Sequence, residues 1–163
     1  MKVRLILFLI IPFVYSCIET LSDEELTTTR THYYGKEFRL DGYYTGLVPG
    51  QSVYYNYIFF YTNGVTYYLG HTFVEDINQI KIDVESSRKN KSSWGIFHVK
   101  NDTIAIQGWR LRDDVYQNLL INYQYKIIND TTLFYKDSRG DTTCYYFRRF
   151  SPKPDSTNVF IKY

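Results

Sequence analysis

Histidine and cysteine are scarce. The chain of 163 residues contains three histidines, His32, His71 and His98, and two cysteines, Cys17 and Cys144. No histidine has a second histidine or a cysteine at metal-ligand spacing, which argues against a metal site. Glycine-rich phosphate loops are missing, and so is a Gly-x-Ser-x-Gly nucleophile elbow. Asp113 and Asp114 are neighbours, but neighbours on a strand face opposite ways and make a poor general acid and base. With Arg110 and Arg112 just before them, they read as a charged loop. No catalytic residue, cofactor site or metal site emerges, so an enzyme is not expected.

A long hydrophobic run is also missing. Leu5 to Tyr15 is apolar but contains Pro12 and falls short of the roughly 20 residues that span a bilayer. Lys2 and Arg4 precede it. A basic start, a short apolar core and a small residue at the end are the marks of a signal peptide, here residues 1–16. The run closes on Val14-Tyr15-Ser16-Cys17, which resembles the lipobox of bacterial lipoproteins. That resemblance implies cleavage after Ser16 and acylation of Cys17, with several buried acyl chains, palmitate among them, holding the protein to a membrane at roughly 0.8 kcal/mol per CH₂.

Cleavage removes the surplus of positive charge. The 19 basic residues fall to 17 without Lys2 and Arg4, matching the 17 acidic ones. A near-neutral chain lacks the basic stripe that nucleic acid needs, so no nucleic-acid partner is expected and the membrane link is the acyl group. A lipidated Cys17 leaves Cys144 without a disulfide partner. Cys144 then reads as a small buried apolar side chain.

Residues 17–32 form the lipidated cysteine and a flexible tether. Ile18 to His32 carries Asp23, Glu24, Glu25 and Thr27-Thr28-Thr29 without a sustained period. The acidic cluster resembles the export signal of surface lipoproteins in the Bacteroidetes.

Residues 33–163 have the composition of a β domain, rich in tyrosine, phenylalanine, isoleucine and threonine. Alternation marks strands at Lys36–Thr45, Ser52–Thr62, Val65–Phe73, Trp94–Lys100, Thr103–Leu111, Gln117–Ile128, Thr131–Lys136 and Thr143–Phe150. Turn pairs Asn63-Gly64, Asn101-Asp102, Asn129-Asp130 and Arg139-Gly140-Asp141 separate several of them. Val74–Ser93 is the exception. Val74, Ile77, Ile80 and Val84 recur near helical spacing, and Asp76 with Gln79 makes a capping-box pattern; Ile80, Ile82 and Val84 also alternate. A short helix is preferred, because the strand reading lacks turn residues on its N-terminal side.

Eight sequential antiparallel strands have two open edges, and closing the sheet removes them. The expected fold is all-β, an eight-stranded antiparallel up-and-down barrel with one short helix. Leu119, Ile121, Tyr123, Tyr125 and Ile127 are expected to point inward, with Val53, Tyr55, Tyr57 and Phe59. The inward choice is firm for Gln117–Ile128, whose other face is mostly polar. Ser52–Thr62 has Tyr54, Ile58 and Phe60 on its other face, so it is either covered on both sides or presents a docking patch.

The strand order, Trp94-Gly95-Ile96-Phe97, Asn101-Asp102-Thr103-Ile104 and the closing Phe147-Arg148-Arg149-Phe150-Ser151-Pro152 together resemble the lipocalin-like lipoproteins of the Bacteroidetes, from about Tyr33 to Tyr163. The first strand carries Gly42-Tyr43-Tyr44 where true lipocalins carry Gly-x-Trp. The resemblance implies a location in the bacterial cell envelope at the outer membrane. Asp102-Thr103-Ile104, Asp130-Thr131-Thr132 and Asp141-Thr142-Thr143 resemble Bacteroidetes O-glycosylation sites. Two functions are open: binding a small apolar or amphipathic ligand in the barrel, or docking an envelope protein partner with no ligand. Candidate pocket residues are Tyr55, Tyr57, Phe59, Tyr123 and Tyr125, whose rings and hydroxyls can orient a ligand.

Overall fold

The computed structural model describes residues 22–48, 51, 53–72, 77–112, 114 and 116–162. Among them, eight strands run in sequence: β1 (Gly42–Leu47), β2 (Tyr55–Phe60), β3 (Val65–Thr72), β4 (Trp94–Lys100), β5 (Thr103–Arg112), β6 (Gln117–Asn129), β7 (Thr132–Lys136) and β8 (Thr142–Arg149). Each pairs antiparallel with the next, and β8 returns to β1, closing the barrel. The helix α1 (Ile77–Ser87) and a 3-10 turn (Lys91–Ser93) lie between β3 and β4. Among the described residues the chain therefore adopts the expected all-β, up-and-down barrel with one short helix. The signal-peptide run and Cys17 lie outside the described residues.

Local chemistry explains the corners. Gly64 has φ +78°, a region glycine enters without steric cost. A Cβ there would also sit 2.0 Å from the Thr31 carbonyl oxygen. Asn101 takes φ 56° in the β4–β5 turn, which asparagine tolerates better than most residues.

The barrel separates two apolar clusters. Inside are Tyr44, Ile58, Phe60, Phe97, Ile104, Ile106, Tyr125, Leu133 and Tyr145. Outside, on the far face of β1 to β5, are Tyr43, Tyr57, Phe59, Val65, Tyr67, Leu69, Trp94, Ile96 and Trp109. Ile80 and Val84 of α1, with Phe150 and Ile161 of the C-terminal tail, cover this outer face. Ile80 and Val84 are four apart, so they share one face of the helix, whereas Ile82 is 62% exposed. Gln79 donates to Asp83 within the helix at 2.7 Å; Asp76, the other half of the expected capping box, lies outside the described residues.

The facing of β2 corrects an expectation. Tyr57 and Phe59 point outward, and Ile58 and Phe60 point in. Tyr55 packs against the outer cluster, and Val53 is 50% exposed before the strand begins. The strand is covered on both faces, so its pattern carried no information about which was which. On β6 the expectation was right for Tyr123, Tyr125 and Ile127, which join the inner cluster. Ile121 and Leu119 share their face by the strand period of two.

Two further expectations change. Lys36–Asp41 is not part of β1. Arg39 grips Asp41 through two hydrogen bonds of 3.0 and 2.7 Å. Phe38 then packs with Tyr33, Phe60 and Phe97 as a floor across one end of the barrel. Cys144 is half-buried on the outer face of β8 rather than enclosed.

Residues 22–32 have no regular secondary structure, yet they are not a free tether. At 13 residues, β6 outruns the five residues of β7, so its upper half lacks a strand neighbour on that edge. Asp23 accepts from the Asn118 backbone N–H at 2.8 Å, Glu24 from that of Leu120 at 2.6 Å, and the Glu24 N–H donates to the Asn118 carbonyl at 3.0 Å. The Asn118 N–H holds the Asp23 carboxyl below its ordinary range. Trp109 Nε1 donates to the Glu24 carbonyl at 2.7 Å, and Thr27 and Thr28 donate backbone N–H groups to Gln107 Oε1. The acidic cluster therefore covers a strand edge.

Lys153 sits below the floor. Its ammonium donates to the carbonyls of Leu40 and Phe60 and lies 4.2 Å from the Tyr61 ring centre. Burial pushes it down to about 8. Between that value and the unfolded 10.5 the unfolded chain holds more protons, so stability rises with pH. The Tyr145 and Tyr67 hydroxyls are pushed up to about 12 by burial. Tyr68, Tyr123, Tyr125 and Tyr135 are raised as well, so unfolded tyrosines ionise first from about pH 9 and stability then falls. Urea melts from pH 7 to 11 are expected to peak at about pH 9, with a rise on the order of 1 kcal/mol. Lys153→Met is expected to flatten that rise; a profile unchanged by the substitution would assign it elsewhere.

Candidate functional site

Above the packed floor the barrel is hollow. A cavity of about 530 Å³ is lined on its inner walls by Ile58, Tyr68, Ile106, Ile121, Tyr123 and Tyr125. Three glycines make the room: Gly70 on β3, Gly95 on β4 and Gly108 on β5 all line it. Gly95 and Gly108 are cross-strand partners, so two side chains are missing at one level of the wall. A Cβ on Gly70 would meet nothing closer than Tyr68 at 3.8 Å. Ser92 and Ser93 of the 3-10 turn border the cavity where β4 starts lower than β3 and β5 end.

A second chamber of about 150 Å³ shares Tyr68, Tyr123 and Tyr125 and adds Asn56, Tyr135 and Tyr145. The rings brace one another: Tyr125 stacks on Tyr135 at 5.0 Å and meets Tyr145 edge-on at 5.4 Å. Asn56 Nδ2 donates to the Tyr145 hydroxyl at 3.1 Å. Asn56 Oδ1 is buried and accepts no hydrogen bond among the described residues. A buried unpaired acceptor costs about 1–3 kcal/mol, so it marks a place where a donor from outside the chain is favoured.

Burial pushes the hydroxyls of Tyr68 and Tyr125 well above their ordinary value, and those of Tyr123 and Tyr135 upward. All stay neutral at physiological pH. The chamber offers aromatic surface and neutral hydrogen-bonding groups, with Arg110 at its mouth.

Of the five candidate residues, Tyr123 and Tyr125 line the cavity. Tyr57 and Phe59 belong to the outer cluster. Tyr55 borders an outer-face groove with Cys144 and Tyr146. The residues that sequence reasoning missed are Tyr68, Tyr135, Tyr145, Asn56 and the three glycines. Asn56, polar within an apolar run, was the available signal. Among the described residues, no group of three His, Cys, Asp or Glu side chains could hold a metal ion. Comparison with protein-family models, with curated proteins and with solved structures finds no match.

Proposed function

We propose that this protein is a lipid-anchored lipoprotein of the bacterial envelope whose barrel holds a small amphipathic ligand. The tyrosine-lined cavity of about 530 Å³ carries the reading, because its size falls within the roughly 300–1,000 Å³ of ligand pockets. An apolar body would lie against Ile58, Ile106 and Ile121. A hydroxyl or amide donor would reach Asn56 Oδ1 and the tyrosine hydroxyls. The anchor is supported by the basic start, the short apolar run and Ser16-Cys17.

Each half has its own test. Cells fed a radioactive fatty acid are expected to label the wild type and not Cys17→Ser; label that persists in the variant rules out this anchor. The fluorophore N-phenyl-1-naphthylamine is expected to bind saturably and brighten. Tyr125→Phe removes one hydroxyl and keeps the ring, so affinity for a hydrogen-bonding naphthol analogue is expected to fall about 2- to 10-fold, as about 0.5–1.5 kcal/mol per hydrogen bond implies. No saturable signal from either probe would remove the case for a ligand site.

A further inference from the structure

We infer that the mouth of the barrel faces the lipid bilayer and that its apolar rim rests on it. The inference rests on the anchorage through Cys17 proposed above. Strands β1, β3, β5 and β7 finish at the mouth, and β6 begins there; the floor built on Phe38 closes the opposite end. The N-terminal strap enters at the mouth. The Ser22 carbonyl accepts from Gln117, the first residue of β6, at 2.7 Å, and Asp23 is bound to Asn118. The strap then runs towards the floor, where Thr31 meets His98 and Tyr33 bonds to Thr62.

Five residue steps separate Cys17 from Ser22. At full extension they reach about 18 Å, shorter than the barrel strand β6 would need to bring the floor round to the membrane, since its 13 residues extend about 40 Å. A lipid on Cys17 therefore holds the mouth end near the bilayer and the floor away from it.

The rim suits that position. Leu47 at the end of β1, Val53 before β2, Leu111 near the end of β5 and Tyr116 before β6 are 37%, 50%, 40% and 84% exposed. Four large apolar side chains stand at the mouth end, beside the Arg112–Asp114 and Arg139–Asp137 ion pairs, and the cavity there suits an amphipathic molecule. Seated on lipid, they give such a molecule a route between bilayer and cavity that does not cross water.

The test uses the full chain, made in a host that processes lipoproteins, in vesicles of phosphatidylethanolamine and phosphatidylglycerol. In a Cys144→Ser background, Tyr116→Cys or Leu111→Cys places an environment-sensitive nitrobenzoxadiazole probe on the rim. Ile128→Cys places it at the floor end, where Ile128 is 53% exposed. The rim probes are expected to shift to the blue and to be quenched by spin-labelled lipid; the Ile128 probe is expected to report water. Intact mass reports the acyl group in the same sample. An unacylated Cys17 overturns anchorage and orientation together. An acylated Cys17 with both rim probes in water, or with the Ile128 probe in lipid, overturns the orientation alone.

Discussion

Phe59→Ala is expected to lower the unfolding free energy by about 3–5 kcal/mol, and Ile58→Ala by about 2–5 kcal/mol. The two residues are neighbours on β2 and point opposite ways. Phe59 is fully buried in the outer cluster, between Tyr43, Tyr67 and Phe150. Ile58 is 1% exposed inside the barrel. Truncating either opens a hole that rigid neighbours fill only in part. An ordinary half-exposed barrel strand would show one costly and one cheap substitution. Asn122→Ala, on the exposed face of β6, is expected to stay within about 0.5 kcal/mol. Urea melts of the three variants decide the matter. A cheap Phe59→Ala would mean that α1 and the C-terminal tail do not cover the sheet.

Gly70→Phe is expected to abolish uptake of N-phenyl-1-naphthylamine, a loss of more than about tenfold (about 1.4 kcal/mol), while the urea midpoint stays close to that of the wild type. The position faces the cavity, and an added Cβ meets only the edge of Tyr68, at 3.8 Å. Phenylalanine suits a strand, so its ring enters empty space instead of displacing wall atoms. Gly95→Ala is the contrasting case. Its Cβ would lie 2.7 Å from the Gln107 carbonyl oxygen and 3.2 Å from Gly108 Cα. Backbone must move, and a cost of about 1–3 kcal/mol is expected. Loss of binding in Gly70→Phe with an unfolded barrel, or full binding with a folded one, would each show that the cavity is misplaced.

The parts of the fold that could be read in the chain are those where one physical pattern acted alone. On β6, Asn122, Gln124 and Lys126 alternate with Tyr123, Tyr125 and Ile127, so a single polar face settled the direction. On β2 no such contrast exists. The outer layer of Ile80, Val84 and Ile161 comes from segments distant in the chain, and only their docking makes Tyr57 and Phe59 a second core. The strap was hidden for a related reason. Asp23 and Glu24 look like solvated charges until β6 is seen to overhang β7. Phe38 alternates with its neighbours as a strand residue would, yet it plugs the floor. The cavity was legible only in part. Tyr123 and Tyr125 could be placed on its wall, but its volume comes from Gly95 opposite Gly108 and from Gly70, and cross-strand register is set by the closed barrel as a whole.

Native mass spectrometry of the purified full chain tests the central claim most directly. The account predicts a bound small molecule on the wild type, seen as an added mass that collisional activation removes, and its loss from a folded Gly70→Phe. A wild-type chain that carries no added mass even after incubation with amphipathic lipids, or an added mass that Gly70→Phe retains, would contradict it.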